Sequence, residues 1–123
     1  MKRKEEVKVD TEDIPFRGML PIMVLSIMAD GEKHHVQGLV NKINKKVGFE
    51  LAKRTSIKDI ISRLGGHGDI RFHSEESGPV TVYYQITEKG IETAERRIEQ
   101  AREVKRIMYQ FYKLFDKNTK NFG

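Results

Sequence analysis

The chain has 123 residues, 37% hydrophobic and 33% charged, with a formal net charge of +5, which fits one domain with a modest core. It has no cysteine, which excludes disulfides, zinc–thiolate sites and cysteine nucleophiles and points to a reducing compartment. No run approaches the ~18 apolar residues that span a bilayer, and Met1-Lys2-Arg3-Lys4 leads into no signal-peptide apolar segment, so a soluble cytoplasmic protein with no membrane partner is expected.

Residues 1–14 are charged, with few apolar positions, and read as a loose arm ending at Pro15. A first helix is predicted from residue 15 or 16 to 29. Its apolar residues (Phe16, Met19, Leu20, Ile22, Met23, Val24, Leu25, Ile27, Met28) are too dense for a single buried face. Pro21 either opens this helix or kinks it, and Asp30-Gly31 ends it. A second helix, roughly 35–46, sets Val36, Leu39, Val40, Ile43 and Val47 in one stripe before Gly48. A third, roughly 53–64, turns Ile57, Ile60, Ile61 and Leu64 inward, and Gly65, Gly66 and Gly68 break it ahead of a strand over 70–73.

A Ser77-Gly78-Pro79 turn separates that strand from a second, in which Val82, Tyr84 and Ile86 alternate with Thr81, Tyr83 and Gln85. Thr87 then switches the period from 2 to 3.6 at one residue, as a helix N-cap does. The fourth helix is predicted over 88–116. A heptad reading puts Ile91, Ala94, Ile98, Ala101, Lys105, Met108, Tyr112 and Phe115 in one seam, with Phe111 beside it. At 1.5 Å per residue such a helix is roughly 45 Å long, more than a small domain covers. A partner helix from a second copy is the simplest cover, which predicts a homodimer held by Ile91, Ala94, Ile98, Ala101, Met108, Phe111, Tyr112 and Phe115.

These elements make a mainly α fold with a small β-hairpin wing (α+β). The expected organisation is a winged helix-turn-helix over 15–87, a dimerisation helix over 88–117 and a tail over 118–123. Charge is not spread evenly over it. Residues 41–73 hold eight basic side chains (Lys42, Lys45, Lys46, Lys53, Arg54, Lys58, Arg63, Arg71) against three acidic ones, while the flanking thirds nearly balance. Concentrated positive charge is the footprint of a phosphate-backbone binder, and the third helix of such a fold enters the major groove of double-stranded DNA. Expected DNA contacts are Lys53, Arg54, Thr55, Ser56, Lys58 and Arg63 from that helix, and Lys42, Lys45 and Lys46 as phosphate neighbours. Arg71 and His73 join them from the wing, alternating outward with Ile70 and Phe72. Glu75 and Glu76 make the wing tip acidic, so deep insertion of the wing is not expected.

Nothing else in the chain supplies a chemistry. His34 and His35 are adjacent and diverge on a helix, no metal-ligand spacing occurs, and no carboxylate pair sits in an apolar setting, so no enzyme, metal or cofactor is expected. Gly65-Gly66-His67-Gly68 follows a helix and precedes a strand, the reverse of a phosphate loop.

From Phe16 to about Phe115 the chain resembles the PadR-type transcriptional regulators. FRGMLPIMVLSIMADGEKHHVQGLVNKI is similar to the family's opening helix, turn and second helix; SIKDIISRLGGHGDI is similar to its recognition helix; VYYQITEKGIE is similar to its wing-to-helix signature. MarR-like winged helices share part of the last motif. The chain departs from the family at Lys58 and Asp59, where an aromatic followed by proline is common, and at Gly65-Gly66-His67, which is usually charged. The resemblance implies a homodimeric, nucleoid-associated repressor on a palindromic operator. It also implies, for some members, a small aromatic effector near the dimer interface, for which Phe16, Met19, Met23, Met108, Tyr109, Phe111, Tyr112 and Phe115 are the candidates. Two other readings stay open: a chromatin-type protein that coats DNA, and a winged-helix module that binds other proteins in a larger assembly.

Overall fold

The computed structural model describes residues 16–75 and 81–119. The arm, the turn at Ser77-Gly78-Pro79 with Glu76, residues 120–123 of the tail, and the side chains of Phe16 and Glu75 lie outside the described residues. A 3-10 turn, Phe16–Met19, leads into helix α1, Leu20–Met28. Pro21 sits in the first turn of α1, where its missing N–H leaves no bond unmade, so the helix opens there and does not kink. Leu20, Val24, Leu25 and Met28 are buried while Ile22, Met23 and Ile27 are half-buried, so α1 is indeed covered on more than one side.

Helix α2, Val36–Val47, begins at His35, whose Nδ1 accepts from the Gly38 N–H at 3.0 Å. It ends at Gly48, whose N–H donates to Asn44 O at 2.9 Å. Helix α3, Arg54–Gly66, runs two residues past the expected stop. Gly65 and Gly66 stay helical; the turn comes at Gly68, whose φ of 81° is the left-handed conformation that a side chain disfavours. From there the Asp69 N–H reaches back to Leu64 O at 2.9 Å and closes the helix end.

Strands β1, Ile70–Glu75, and β2, Thr81–Ile86, pair antiparallel with Ile70 opposite Ile86 and Phe72 opposite Tyr84. A third segment joins them. His34 N–H donates to Tyr84 O at 2.8 Å and Tyr84 N–H to His34 O at 2.7 Å, so the α1–α2 connection is hydrogen-bonded to the wing. Helix α4, Glu88–Thr119, follows at once, and its 32 residues extend about 48 Å at 1.5 Å each.

One core joins α1, α2, α3 and the base of the hairpin, with Val24, Leu25, Met28, Leu39, Ile43 and Ile57 at its centre. Ala94 of α4 is buried in this same core, and Ile91 and Ile98 pack against it. Of these three residues, expected in the dimer seam, Ala94 is covered by its own chain and Ile91 and Ile98 are covered in part. A heptad stripe records that a face is buried, not which chain buries it.

The junction of wing and α4 is tightly tied. Thr87 Oγ1 accepts from the Gly90 N–H at 3.0 Å, capping α4, and donates to Gly68 O at 2.7 Å. The Thr87 N–H donates to Asp69 O at 3.0 Å, and Thr93 Oγ1 donates to the buried Asp69 carboxylate at 2.7 Å. Lys89 Nζ adds a bond to His67 O. Gly90 lies so close to Asp69 that a Cβ there sits 2.1 Å from the Asp69 carbonyl oxygen. The switch at Thr87 therefore works by fastening the end of α3 to the start of α4.

Candidate nucleic-acid interface

The helix-turn-helix is assembled by one side chain. Asn44 Nδ2 donates to Ala52 O at 3.0 Å, and its Oδ1 accepts from the Leu51 and Ala52 N–H groups at 2.9 and 2.7 Å. This clasp fixes the turn between α2 and α3 and so the angle at which α3 is presented. With Ile57, Ile60, Ile61 and Leu64 inward, Lys53, Arg54, Thr55, Lys58, Ser62 and Arg63 are exposed, and Ser56 is half-buried.

Two sides of α3 differ in charge. Toward the wing, a groove is made of two adjoining hollows that share Lys58 and Tyr84, one lined also by His35, Gln37, Arg54 and Tyr83, the other by Ser62, Gly65, Arg71 and Phe72. Among the described residues its walls hold three permanent positive charges and no carboxylate. Toward α1, Thr55, Ser56 and Arg63 stand with Asp59, and Arg63 Nη2 bonds the Asp59 carboxylate at 2.6 Å. Both partners of that pair are mostly exposed, so it adds little stability, but it does offset the Arg63 charge locally.

The α2 lysines do not join the groove. From α2, Gln37 bonds Arg54 of α3 and Asn41 on its own helix, and Asn44 bonds the α2–α3 turn, while Lys46 lines a cleft beside α1 and α4 and Lys42 lies within range of the Asp30 carboxylate. Lys45 is exposed. Sequence reasoning followed the lysines and passed over Gln37, Asn41 and Asn44. Their i, i+4, i+7 spacing was a readable polar row on one helix face.

The wing also departs from simple alternation. Arg71 is exposed as expected, but Phe72, expected inward, is 62% exposed with its ring 6.2 Å from that of Tyr84. Ile70 and Phe72 share a face, and the core ends between them. His73 is half-buried and bonds Gln85 Oε1 at 2.9 Å, while Gln85 Nε2 donates to Gly31 O at 2.7 Å. The Gln85 oxygen must accept, so His73 Nε2 carries the proton, and the imidazole braces the wing in place of facing solvent.

The adjacent His34 and His35 also split. His34 is 5% exposed and bonds Asp30 Oδ1 at 2.9 Å, while His35 caps α2 at the surface. Burial acts to raise the Asp30 pKa. The hydrogen bonds from His34 and the Glu32 N–H, with the charges of His34 and Lys42, outweigh it and hold the carboxyl below its ordinary value. Among the described residues no three histidine or carboxylate side chains gather as a metal set.

Away from the groove, an open apolar cleft of about 650 Å³ lies between α1, α2 and α4, lined by Met19, Ile22, Met23, Ile27, Ile98 and Ala101 among others. Of the expected effector residues whose side chains are described, Met19 and Met23 line it; Met108, Tyr109, Phe111, Tyr112 and Phe115 stand on the part of α4 beyond. That part is unusually apolar for a surface, with Tyr112 55% and Phe115 52% exposed. No described helix is long and apolar enough to cross a membrane.

No family model and no curated protein matches the chain. Solved structures do. A transcriptional regulator from Clostridium thermocellum is 26% identical, with a TM-score of 0.72 over 84% of this chain and 98% of its own. A PadR-like transcriptional regulator from Bacillus cereus is also 26% identical, with a TM-score of 0.67 over 78% of this chain and 93% of its own. Bacillus subtilis PadR, solved in complex with operator DNA, shares the fold at 18% identity, with a TM-score of 0.57 over 65% of this chain and 47% of its own. The groove, the wing and the long fourth helix are thus parts of one known architecture, that of the PadR-type winged helix-turn-helix transcriptional regulators.

Proposed function

We propose that the chain is a sequence-specific, DNA-binding regulator of transcription that acts in the cytoplasm, on the nucleoid, as a homodimeric repressor. The observation that carries this reading is the wing-side groove of α3, where Arg54, Lys58 and Arg71 stand together without a carboxylate. A helix-sized element flanked by such a groove fits the major groove of DNA, with exposed Thr55 and Ser62 available to base edges. The solved operator complex of Bacillus subtilis PadR supports the same use of the fold.

Dimerisation follows from α4. Past Ala101 the helix carries Val104, Ile107, Phe111, Tyr112, Leu114 and Phe115 as exposed apolar side chains. A second copy covers them more economically than a small effector, which fills a cleft but not a helix face. The role left for Ala101 and Met108 is at the root of that contact.

The test is a salt series. With Lys58→Ala and Arg71→Ala combined, affinity for a duplex enriched from a random pool falls, and the log Kd against log salt slope drops in magnitude by about 1.8, at roughly 0.9 for each phosphate no longer neutralised. An unchanged affinity and slope refutes the groove as the binding surface. Equal affinity for enriched and random duplexes replaces sequence-specific regulation with DNA coating.

A further inference from the structure

Gln37 lies at the start of α2 and Arg54 at the start of α3, yet Arg54 Nη1 donates to Gln37 Oε1 at 3.0 Å. The amide is held in turn, because Gln37 Nε2 donates to Asn41 Oδ1 at 2.9 Å one turn along α2. With its nitrogen committed to Asn41, the Gln37 amide presents its oxygen to Arg54. The three side chains form a fixed chain across the helix-turn-helix, just outside the Asn44 clasp.

A guanidinium offers five N–H donors in one plane. With Nη1 taken by Gln37, the edge made by Nε and Nη2 has no other partner among the described residues. That edge is a two-pronged donor, and its complement on DNA is the O6 and N7 pair of guanine in the major groove. A phosphate can take the same fork, and what sets guanine apart from it is the N7 acceptor on the base edge.

We propose that Gln37 is a positioning residue that holds Arg54 side-on for one guanine in each half-site, so that sequence is read by a residue whose orientation is set from α2. The proposal rests on the DNA-binding reading and deepens it.

The experiment uses the full chain and a duplex that the wild-type protein enriches from a random pool. Each guanine is replaced in turn by 7-deazaguanine, which lacks the N7 acceptor. One guanine per half-site is expected to be sensitive, its replacement raising Kd about tenfold or more, the scale on which a bidentate base pairing discriminates. Arg54→Ala abolishes the sensitivity. Gln37→Ala reduces it to less than about threefold, while the salt slope and melting temperature stay as in the wild type. Gln37→Glu, whose carboxylate still accepts from Arg54, restores the sensitivity at lower overall affinity. A Gln37→Ala protein that keeps the full penalty overturns the proposal, and so does an enriched duplex with no sensitive guanine. If no duplex is enriched at all, the DNA-binding reading falls and takes the proposal with it.

Discussion

Replacing Gly90 by alanine tests the junction between wing and fourth helix most directly. The added Cβ lies 2.1 Å from the Asp69 carbonyl oxygen, 2.6 Å from Ile86 Cγ1 and 3.0 Å from the Asp69 carbonyl carbon. Normal separations need the two segments to part by on the order of 1 Å. Neither can move freely. Asp69 O accepts from the Thr87 N–H, the Asp69 carboxylate from Thr93, and Ile86 is buried in the core. Overpacking of this kind costs about 3 kcal/mol, the upper end of the usual range, because the closest atom is backbone. The better helix propensity of alanine returns at most ~1 kcal/mol. A net loss of about 2–3 kcal/mol lowers the melting temperature by roughly 10 °C in a domain of this size. Circular dichroism melts at matched protomer concentration measure it, since the proposed dimerisation would make the midpoint concentration-dependent. A Gly90→Ala protein that melts within 2 °C or so of wild type, or above it, refutes the close approach of α4 to the end of α3.

Other outcomes follow from the same geometry. Asn44→Ala unmakes three hydrogen bonds to the turn and leaves partly buried groups unpaired; urea unfolding is expected to show a loss of about 2 kcal/mol, and a loss under 0.5 or so dismisses the clasp. For Asp30 the folded-state pKa is depressed below its ordinary 3.8, so its contribution is full above that pH and is lost as pH falls through the lower folded value. The urea midpoint of Asp30→Asn should therefore lie below wild type at pH 6 and converge with it on acidification below the ordinary carboxyl value; a constant gap contradicts the linkage. Tyr112→Glu with Phe115→Glu places charge on the exposed face of α4, and sedimentation velocity at micromolar concentration should shift the protein from dimer to protomer. Retention of the dimer removes that face from the interface.

Much of the fold was readable because its signals are local. Apolar stripes located α2 and α3, Gly48 marked an end, and the alternation of Val82, Tyr84 and Ile86 into Thr87 found β2 and the start of α4, while Pro21 left open whether α1 begins or kinks there. The misses are all matters of what lies opposite. Alternation assigns Phe72 to the same face as Ile70 but cannot say that the core stops one residue earlier. Charge counting named Lys42, Lys45 and Lys46 as phosphate neighbours and passed over Gln37 and Asn44, which bond Arg54 and the α2–α3 turn. Gly65 and Gly66 looked like breakers, yet the backbone bonds of the last turn carry them, and only Gly68 adopts a conformation that demands glycine.

The bond between His34 and Tyr84 has a mechanical consequence. Because the hairpin is stitched to the α1–α2 connection, the reading helix and the wing behave as one stiff head, with little freedom to adjust to each other. In the proposed dimer, discrimination between operators is then a matter of where two heads are held apart. The fourth helix works as the arm of a caliper, rooted at Thr87 and Thr93. A tilt of about 5° at that root displaces the far end of a 32-residue helix by roughly 4 Å, about the rise of one base-pair step. If the proposed dimer answers to a signal, that signal thus has no need to loosen any contact to a base. It can retune the span between half-sites.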